Sequence, residues 1–347
     1  MRPARLRRRL REVRTMDNLL EVKNLTKLFP VGYKKNITAV NDISFDIRPG
    51  ETFGLIGESG SGKSTVGRCL LNLIKPTKGK LVYKGVDYSR FTKNQKALIR
   101  KEMQMVFQDP NYSLNPRVTV WDTVQNTLKV SREFSLEQQE QLTKEALDMV
   151  HLREDNYGKY AHQLSAGQQQ RVGIARAIAA HPNFVVLDEP TSSLDVSIRA
   201  EINDLLRSLQ DAMGVSYLFI SHDLSTIQYL CHRVAVMYLG SIMEYGTVEQ
   251  LFKNFAHPYS KALLASVMVP DPDVKRSRYR LTGEIPSAIN LPKGCALASR
   301  CGEAEKRCFT ENPAMVEIEP GHFVKCHHAK SCHDCAGCGA DAAKSNE

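Results

Sequence analysis

The residues that decide the fold of this chain are Gly57-Glu58-Ser59-Gly60-Ser61-Gly62-Lys63-Ser64. They follow an apolar run, Phe53-Gly54-Leu55-Ile56, and precede a helical pattern over residues 66–74. A strand, a glycine-rich loop and a helix in this order are typical of a phosphate-binding loop. The glycines let backbone N–H groups surround phosphate oxygens, and the N-terminus of the helix adds partial positive charge. The stretch therefore predicts a nucleotide site.

Two side chains at the end of this loop have distinct expected roles. Lys63 should reach the outer phosphates, and the hydroxyl of Ser64 should hold Mg²⁺. The bland alternative is a glycine turn between a strand and a helix. The remaining positions of the loop that we expect at the nucleotide are Gly57, Glu58, Ser59, Gly60, Ser61, Gly62 and Thr65.

A second run, Val185-Val186-Leu187-Asp188-Glu189, is an apolar strand that ends in two carboxylates. Strands of an open α/β sheet deliver their C-terminal residues to the ligand crevice. Asp188 suits coordination of Mg²⁺ through water, and Glu189 suits a general base or a water-positioning group at the γ-phosphate. Alone, the run could be a strand followed by an acidic turn.

The order of elements predicts an α/β fold with a mostly parallel sheet. Residues 19–25 and 38–47 alternate in polarity and indicate an antiparallel β layer. Further strands are expected over residues 184–187 and 217–220, helices over 168–180 and 197–213, and a hairpin over 233–245. Glycine is almost absent from residue 94 to 162, and residues 119–151 have helical periodicity with polar faces, which predicts a helical subdomain inserted over about 94–165.

Four further motifs carry a resemblance to ATP-binding-cassette (ABC) ATPases. The residues Leu164-Ser165-Ala166-Gly167-Gln168-Gln169-Gln170-Arg171 resemble the family's signature loop. In the family's order, Gln108 resembles the Q-loop glutamine, Ser193-Leu194-Asp195 the D-loop, and His222 the switch histidine. The resemblance implies catalytic roles for Glu189, His222, Lys63 and Gln108, with Gln108 also at the metal.

The resemblance also implies that two cassettes close head-to-tail, with ATP between the phosphate loop of one chain and Ser165, Gly167 and Gln168 of the other. A helix N-terminus at Gly167 offers N–H groups to an anion, which fits this arrangement. The usual signature has two glycines, and here the first is Ala166. If that position required a positive φ, alanine would cost about 1 kcal/mol.

Adenine needs an aromatic platform in this family, and Phe29 lies where the resemblance places it. Tyr33 is the competitor, because the turn that follows is long. A core or surface aromatic is the alternative for both.

The segment Gln108-Asp109-Pro110-Asn111-Tyr112-Ser113-Leu114-Asn115-Pro116-Arg117 resembles the ATPases of oligopeptide, dipeptide and nickel importers. Residues 256–263 and 283–295 resemble the segments that follow the cassette in that group. The resemblance implies ATP-driven peptide uptake at the cytoplasmic face of the membrane. It implies a second related ATPase, two transmembrane permeases and an extracytoplasmic substrate-binding protein as partners. The alternative is a soluble ABC ATPase that acts on ribosomes or nucleic acid.

Charge and hydropathy limit the other readings. The net charge is +9, but residues 1–15 hold seven arginines and one glutamate and so supply most of it. The remainder is only mildly basic, and no nucleic-acid partner is expected. Residues 1–16 are expected to be a disordered basic arm, with an arm for anionic lipid or RNA as the alternative. No apolar run approaches the ~18 residues that cross a bilayer.

Seven of the nine cysteines crowd between residues 295 and 338. The body of the chain, residues 17–250, is expected to be the ATPase domain, residues 251–331 a small Cys-rich extension, and residues 332–347 a tail. The spacing of Cys295, Cys301, Cys308 and Cys326, C-x5-C-x6-C-x17-C, resembles the [4Fe–4S] ligands of the importer family. Four thiolates also suit Zn²⁺, and free thiols are the third option. The tail spacing, Cys332, Cys335 and Cys338, could bind a further metal or belong to a flexible thiol-rich tail.

Overall fold

The computed structural model describes residues 17–32, 35–131, 134–266, 279–289 and 291–330. The strands in these residues are β1 (Leu20–Pro30), β2 (Asn36–Ile47), β3 (Thr52–Ile56), β4 (Lys78–Tyr83), β5 (Val86–Asp87), β6 (Met103–Val106), β7 (Phe184–Asp188), β8 (Ser216–Ser221), β9 (Arg233–Tyr238), β10 (Ser241–Thr247), β11 (Val316–Glu319) and β12 (His322–Val324).

The α-helices in these residues are α1 (Lys63–Leu70), α2 (Lys93–Glu102), α3 (Pro110–Ser113), α4 (Val120–Ser131), α5 (Leu136–Met149), α6 (Ala166–Ile178), α7 (Val196–Met213), α8 (Leu224–Leu230), α9 (Val248–Lys253), α10 (Pro258–Ala265) and α11 (Lys306–Thr310). Among the described residues, no helix has both the length and the apolar character needed to span a bilayer.

The chain divides into two compact units, and the division falls within β1, β2 and β3. The first unit comprises Met1–Leu25, Ser44–Phe53 and Ser64–Ser221. The second comprises Thr26–Ile43, Gly54–Lys63 and His222–Glu347.

The expected antiparallel layer has the strand order β2-β1-β4-β5, and residues 20–25 of β1 and 44–47 of β2 belong to the first unit. The N–H of Leu19 donates to the carbonyl of Ile47 at 2.8 Å, and the N–H of Asn24 donates to the hydroxyl of Ser44 at 2.9 Å. As the residue number rises from 19 to 24, the number of the residue bonded to it falls from 47 to 44. The two strands are therefore antiparallel, as predicted.

The first unit also contains parallel strands. β6 pairs with β7 and β7 with β8, in a register that aligns Met105, Val186 and Leu218. Every residue of β7 and of β8 is buried, as expected of parallel strands covered on both faces. The N–H of Tyr217 donates to the carbonyl of Glu51 at 2.8 Å, so β3 begins beside β8.

The region predicted to hold the inserted subdomain, residues 94–165, contains β6 before the stretch with helical periodicity, residues 119–151. β6 has only four residues, and its partner Phe184–Asp188 lies about eighty residues later in the chain, so no local periodicity marked it. The helical pattern is confirmed from Val120 onward, where α4 packs against α5 and α6. The helix after the phosphate loop ends at Leu70, earlier than predicted, because Asn72 takes a left-handed conformation with φ 54°.

In the second unit the strand order is β11-β12-β10-β9-β3. β9 and β10 form the expected hairpin, and Leu239 and Gly240 in its turn have φ values of 43° and 80°. The hairpin of β11 and β12 was not predicted, and it extends this sheet through the pairing of Glu244 with Val324.

Candidate functional site

The phosphate loop takes a backbone path that its glycines make possible. Gly57 has φ 151° and Gly62 has φ 99°. A Cβ atom would lie 2.1 Å from the carbonyl oxygen of Met237 at position 57, and 2.0 Å from that of Ala39 at position 62. Neither position can carry a side chain without displacing backbone. The loop ends where α1 begins, so the N–H groups of the first helical turn point toward it.

The ammonium group of Lys63 is held inside the loop. Its side chain is buried, and Nζ donates to the carbonyl oxygens of Gly57 at 2.8 Å and Glu58 at 2.9 Å. A third bond, at 3.3 Å, reaches the hydroxyl of Ser61. A buried cation can exchange such carbonyl contacts for a phosphate oxygen, so the loop fits an anionic ligand.

Four of the predicted site residues form two pairs in the first unit. The hydroxyl of Ser64 donates to Asp188 Oδ1 at 2.7 Å, and Gln108 Nε2 donates to Glu189 Oε2 at 3.1 Å. The pairing follows from the topology, because β6 and β7 are parallel and Gln108 and Asp188 lie at or just beyond their carboxyl ends. The structure therefore brings together side chains that are widely separated in sequence.

The oxygen atoms of Ser64 and Asp188 are the donors that Mg²⁺ prefers, and the two residues fit the predicted metal role. Glu189 follows directly, with a left-handed φ of 46° and its N–H bonded to the carbonyl of Ile220 at 2.9 Å. A non-glycine residue in that region stores strain, which is common where a side chain must be aimed at a reaction.

The signature segment forms the start of α6. Ser165 is its N-cap, with its hydroxyl accepting from the N–H of Gln168 at 3.4 Å and the Gln168 side chain accepting from the N–H of Ser165 at 3.0 Å. Ser165 and Ala166 are exposed. Ala166 is helical and is not among the residues with positive φ, so the strain considered for alanine there does not arise. A Cβ atom at Gly167 would lie 2.7 Å from Ile198 Cγ2, so the remaining glycine is needed where α6 packs on α7.

Two other predicted residues, Phe29 and His222, are described by their exposure and neighbours. Phe29 is half-buried, with Lys27 Nζ 4.8 Å from its ring centroid. His222 is exposed and follows β8 directly. Tyr33, the basic arm and the tail cysteines lie outside the described residues. The roles given to Phe29 and His222 stay predictions.

The four cysteines of the expected cluster are free thiols. The N–H of Cys295 donates to the carbonyl of Cys308 at 2.7 Å. Burial raises the pKa of the thiols of Cys295, Cys301 and Cys326, and the charges of neighbouring cysteines raise each pKa further. In the described part of the chain, no group of three or more His, Cys, Asp or Glu side chains is placed to hold a metal ion. The thiols thus lie near one another, but the predicted metal site finds no support in this arrangement.

Sequence reasoning missed a set of polar contacts around Glu58 in the second unit. Arg300 Nη1 and Nη2 donate to the two carboxylate oxygens of Glu58, at 2.9 and 3.2 Å. The N–H of Glu58 donates to the Tyr259 hydroxyl at 2.8 Å. Arg300 and Glu58 are 242 residues apart, so no local spacing could have revealed the pair.

A second missed set surrounds Glu244, which is completely buried on β10. Its carboxylate accepts from His322 Nε2 at 2.8 Å and from the N–H groups of Ala256 and His257, at 2.9 and 3.0 Å. The N–H of Tyr259 donates in turn to His257 Nδ1 at 3.0 Å. Glu244 therefore fixes the segment that carries Tyr259.

Comparison with known families gives two matches. Residues 40–192 match the family described as ABC transporter. Residues 243–308 match the family described as oligopeptide/dipeptide transporter, C-terminal region. The first match spans the phosphate loop and Glu189, and the second spans Tyr259 and Arg300.

Among similar proteins is the dipeptide transport ATP-binding protein of Haemophilus influenzae, 42% identical over 322 residues, which cover 91% of this chain and 98% of that protein. An oligopeptide transport ATP-binding protein of Bacillus subtilis is 42% identical over 320 residues, covering 90% of this chain and 97% of the relative. A similar solved structure is an ATP-binding cassette dimer in a post-hydrolysis state with ADP and Pi. It has a TM-score of 0.60 and 30% identity, and the match covers 66% of this chain and 98% of that one.

Proposed function

Because this chain belongs to the ATP-binding proteins of ABC transporters, in the branch of the oligopeptide and dipeptide transport proteins, we propose that it is the ATP-hydrolysing motor subunit of a peptide importer. ATP hydrolysis by this subunit drives the switching of membrane permeases, and the chain acts at the cytoplasmic face of the membrane through them. The single observation that carries the proposal is the pairing of Ser64 with Asp188 and of Gln108 with Glu189.

Within the chain, each side chain has one task. Lys63 exchanges its loop carbonyls for the outer phosphates, and Mg²⁺ would be held by the hydroxyl of Ser64 and, through water, by Asp188, with Gln108 at the same metal. Glu189 takes a proton from the attacking water, because a carboxylate within hydrogen-bond reach of the nucleophile is the group that general-base catalysis requires. His222 contacts the γ-phosphate side, and Phe29 stacks on adenine.

The signature segment serves the nucleotide of another chain. Support comes from the exposure of Ser165 and Ala166 at the N-terminus of α6, and from the solved cassette dimer to which this chain is similar. Ser165, Gly167 and Gln168 then face a partner's ATP, so the two chains separate when the terminal phosphoryl group is lost. The partner is a second, related ATPase.

The remaining partners follow from the importer assignment. Two transmembrane permeases receive the motion, and an extracytoplasmic binding protein delivers the peptide. Support for a permease contact comes from Tyr112, which lies just beyond Gln108 on α3 and is 93% exposed. Exposed aromatic side chains of this kind commonly anchor protein interfaces. We expect no nucleic-acid partner.

The boundaries of the functional regions also belong to this proposal. Residues 17–250 form the ATPase domain, residues 251–331 the extension, and the flanking residues 1–16 and 332–347 a basic arm and a Cys-rich tail. The domain's inserted helical part is proposed to lie within residues 94–165, and the strand β6 limits how early it can begin.

We also keep an iron–sulfur cluster on Cys295, Cys301, Cys308 and Cys326 as a proposal, with Zn²⁺ as the alternative. The proposal rests on the spacing of the four cysteines, which resembles the ligand set of the importer family, and it stands although the described side chains form no group placed to hold a metal ion. Anaerobic purification should yield a brown protein with visible absorbance, which Cys301→Ser removes and the control Cys231→Ser retains. A colourless wild-type protein that holds zinc would favour the alternative, and a protein without either metal would end the proposal.

The importer assignment is tested on the whole complex. The chain, its partner ATPase and the permeases are reconstituted in vesicles, and ATP turnover and uptake of labelled di- and oligopeptides are measured together. We expect uptake to require ATP and the binding protein. Uptake that persists without ATP, or a chain that co-sediments with ribosomes or DNA and not with permeases, would contradict the assignment.

A further inference from the structure

Glu58, the second residue of the phosphate loop, is held through four of its atoms. Its carboxylate forms the bidentate pair with Arg300, its N–H donates to Tyr259, and its carbonyl accepts from Lys63 Nζ at 2.9 Å. Loop residues that only connect a strand to a helix need no such fixation. The two longest-range contacts come from residues beyond the cassette, in the segment 243–308.

Glu58 brings a negative charge into a loop whose geometry suits an anion. The repulsion energy between like charges varies with the inverse of their separation, and it is larger where water is partly excluded. The Glu58 side chain is only 29% exposed, so solvent does not fully screen its carboxylate. A cation paired with that carboxylate would remove the obstacle to phosphate binding.

Arg300 is built to supply that cation. Its side chain is 10% exposed, and Nη1 also donates to the hydroxyl of Tyr238 at 3.3 Å. The guanidinium lies 5.7 Å from the Tyr238 ring, and that ring packs against Tyr259 at 4.7 Å. A planar guanidinium that is stacked and paired through two bonds holds one position, which a lysine ammonium does not.

The backbone of Arg300 is fixed by the cysteine-bearing turn. Its N–H donates to the carbonyl of Leu297 at 2.8 Å, and the N–H of Cys301 donates to the same carbonyl at 3.0 Å. The turn thus presents Arg300 from a rigid segment of the C-terminal region.

We infer that Arg300 is a positioning residue of the nucleotide site, which neutralises Glu58 and so makes the phosphate loop receptive to ATP. The C-terminal region then sets the ATP affinity of the cassette, in addition to any role in assembly. This inference rests on the proposed binding of ATP at the phosphate loop.

The test is calorimetric titration of Mg²⁺-ATP into the purified full chain. Arg300→Met should weaken ATP binding by about tenfold, because it leaves an uncompensated carboxylate beside the phosphates. The double variant Arg300→Met with Glu58→Gln should bind within about threefold of wild type, since the unpaired charge is gone. The deficit of Arg300→Met should also shrink as salt rises from about 0.05 to 0.5 M, because salt screens the repulsion.

Two further variants separate charge from folding. Arg300→Lys keeps the charge without the bidentate fork and should lose less affinity than Arg300→Met. Arg307→Met is the matched control, because Arg307 lies in the same region and pairs with Glu305 at 2.9 Å, yet both side chains are about half exposed. Its ATP affinity should equal that of wild type.

Three results would contradict the inference about Arg300 or the function on which it rests. An Arg300→Met variant that binds as wild type, or a double variant as weak as the single one, overturns the inference. If Arg300→Met does not fold, Glu58→Gln and the double variant are compared instead, and a large difference between them overturns it. A wild-type chain that binds no ATP contradicts the proposed function itself, which is a distinguishable result.

Discussion

The phosphate loop and the signature segment both end at a helix N-terminus, but only one of them is complete within the chain. The phosphate loop has its own buried cation, Lys63, and backbone positions that exclude any side chain. The signature segment is exposed at Ser165 and Ala166, and its basic residue, Arg171, is paired with Glu201 at 2.9 Å.

The difference shows that one physical device serves two purposes. A helix terminus with a buried cation can hold a phosphate by itself. A helix terminus that is capped and exposed, with the basic residue of its segment already paired to a carboxylate, makes only part of a site. That difference is the physical reason to expect a second chain.

The largest effect is expected at Glu189. Glu189→Gln keeps the size of the side chain and removes the base, so turnover should fall about 10²–10⁴-fold while ATP binding is retained. ATP-bound dimers should then accumulate, as measured by sedimentation. The control Glu154→Gln alters an exposed residue paired with Lys144 and should change nothing. Normal turnover in Glu189→Gln would show that Glu189 is not the base for ATP hydrolysis.

The second effect separates the two regions directly. Ala166→Asp puts a carboxylate at an exposed helix N-terminus, which favours the folded single chain through the helix dipole. It should leave ATP binding to the single chain intact and lower turnover of the assembled complex by about 10²-fold, because the carboxylate repels a partner's triphosphate.

The matched variant is Ala166→Gly, which should have normal turnover. If Ala166→Asp supports full turnover, the signature segment does not face a nucleotide. If it abolishes ATP binding by the single chain, the division between the two regions is wrong.

A third effect concerns acid. Burial lowers the pKa of His257 to about 4, against a value near 6.5 in an unfolded chain. Between these two pKa values the folded state binds fewer protons than the unfolded state. The contribution of neutral His257 to the free energy of unfolding is therefore fully present above about pH 6.5 and is lost as the pH falls toward 4. The loss should amount to about 3 kcal/mol of the free energy of unfolding.

Urea unfolding between pH 7 and 4.5 measures this slope, and His257→Asn, which keeps an acceptor for the Tyr259 N–H, should flatten it. Because Tyr259 also holds Glu58, ATP affinity of the single chain should weaken over the same pH interval. An equal slope in wild type and variant would show that His257 is not the group responsible.

The smallest effect is expected at Tyr112. Tyr112→Ala removes a side chain that is 93% exposed, so stability and basal ATP turnover of the single chain should not change. Stimulation of turnover by the permeases should fall by roughly threefold to tenfold, as when one aromatic anchor of an interface is lost. Val130→Ala, another strongly exposed apolar residue, is the control. Unchanged stimulation in Tyr112→Ala would place the permease contact elsewhere.

The parts of the molecule with local patterns could be predicted from the sequence. Three local patterns, each within a dozen residues, predicted the structure that they form. They are the glycine spacing of the loop, the apolar run before Asp188 and the start of α6. The resemblance to the ABC ATPases then ordered these parts, and the pairs Ser64–Asp188 and Gln108–Glu189 formed as that order implied.

What escaped prediction depends on contacts between distant residues. β6 is too short to show the alternation of apolar and polar residues that marks a strand, and it is a strand because it pairs with β7. In the sequence Arg300 is one basic residue in a turn, and its inferred positioning role depends on its contact with Glu58 in the fold. The metal prediction at the cysteines shows the converse, because a spacing can match a family while the described side chains form no group that holds a metal.

The central claim, one ATP held between two chains, is tested most directly by a structure of the assembled complex that carries Glu189→Gln and is saturated with Mg²⁺-ATP. We predict triphosphate between residues 57–64 of one ATPase and the signature of its partner, with Ser165 and Gly167 of this chain at the partner's nucleotide. Nucleotide bound at Lys63 while Ser165 and Gly167 face solvent, with both ATPases and the permeases present, would contradict the claim.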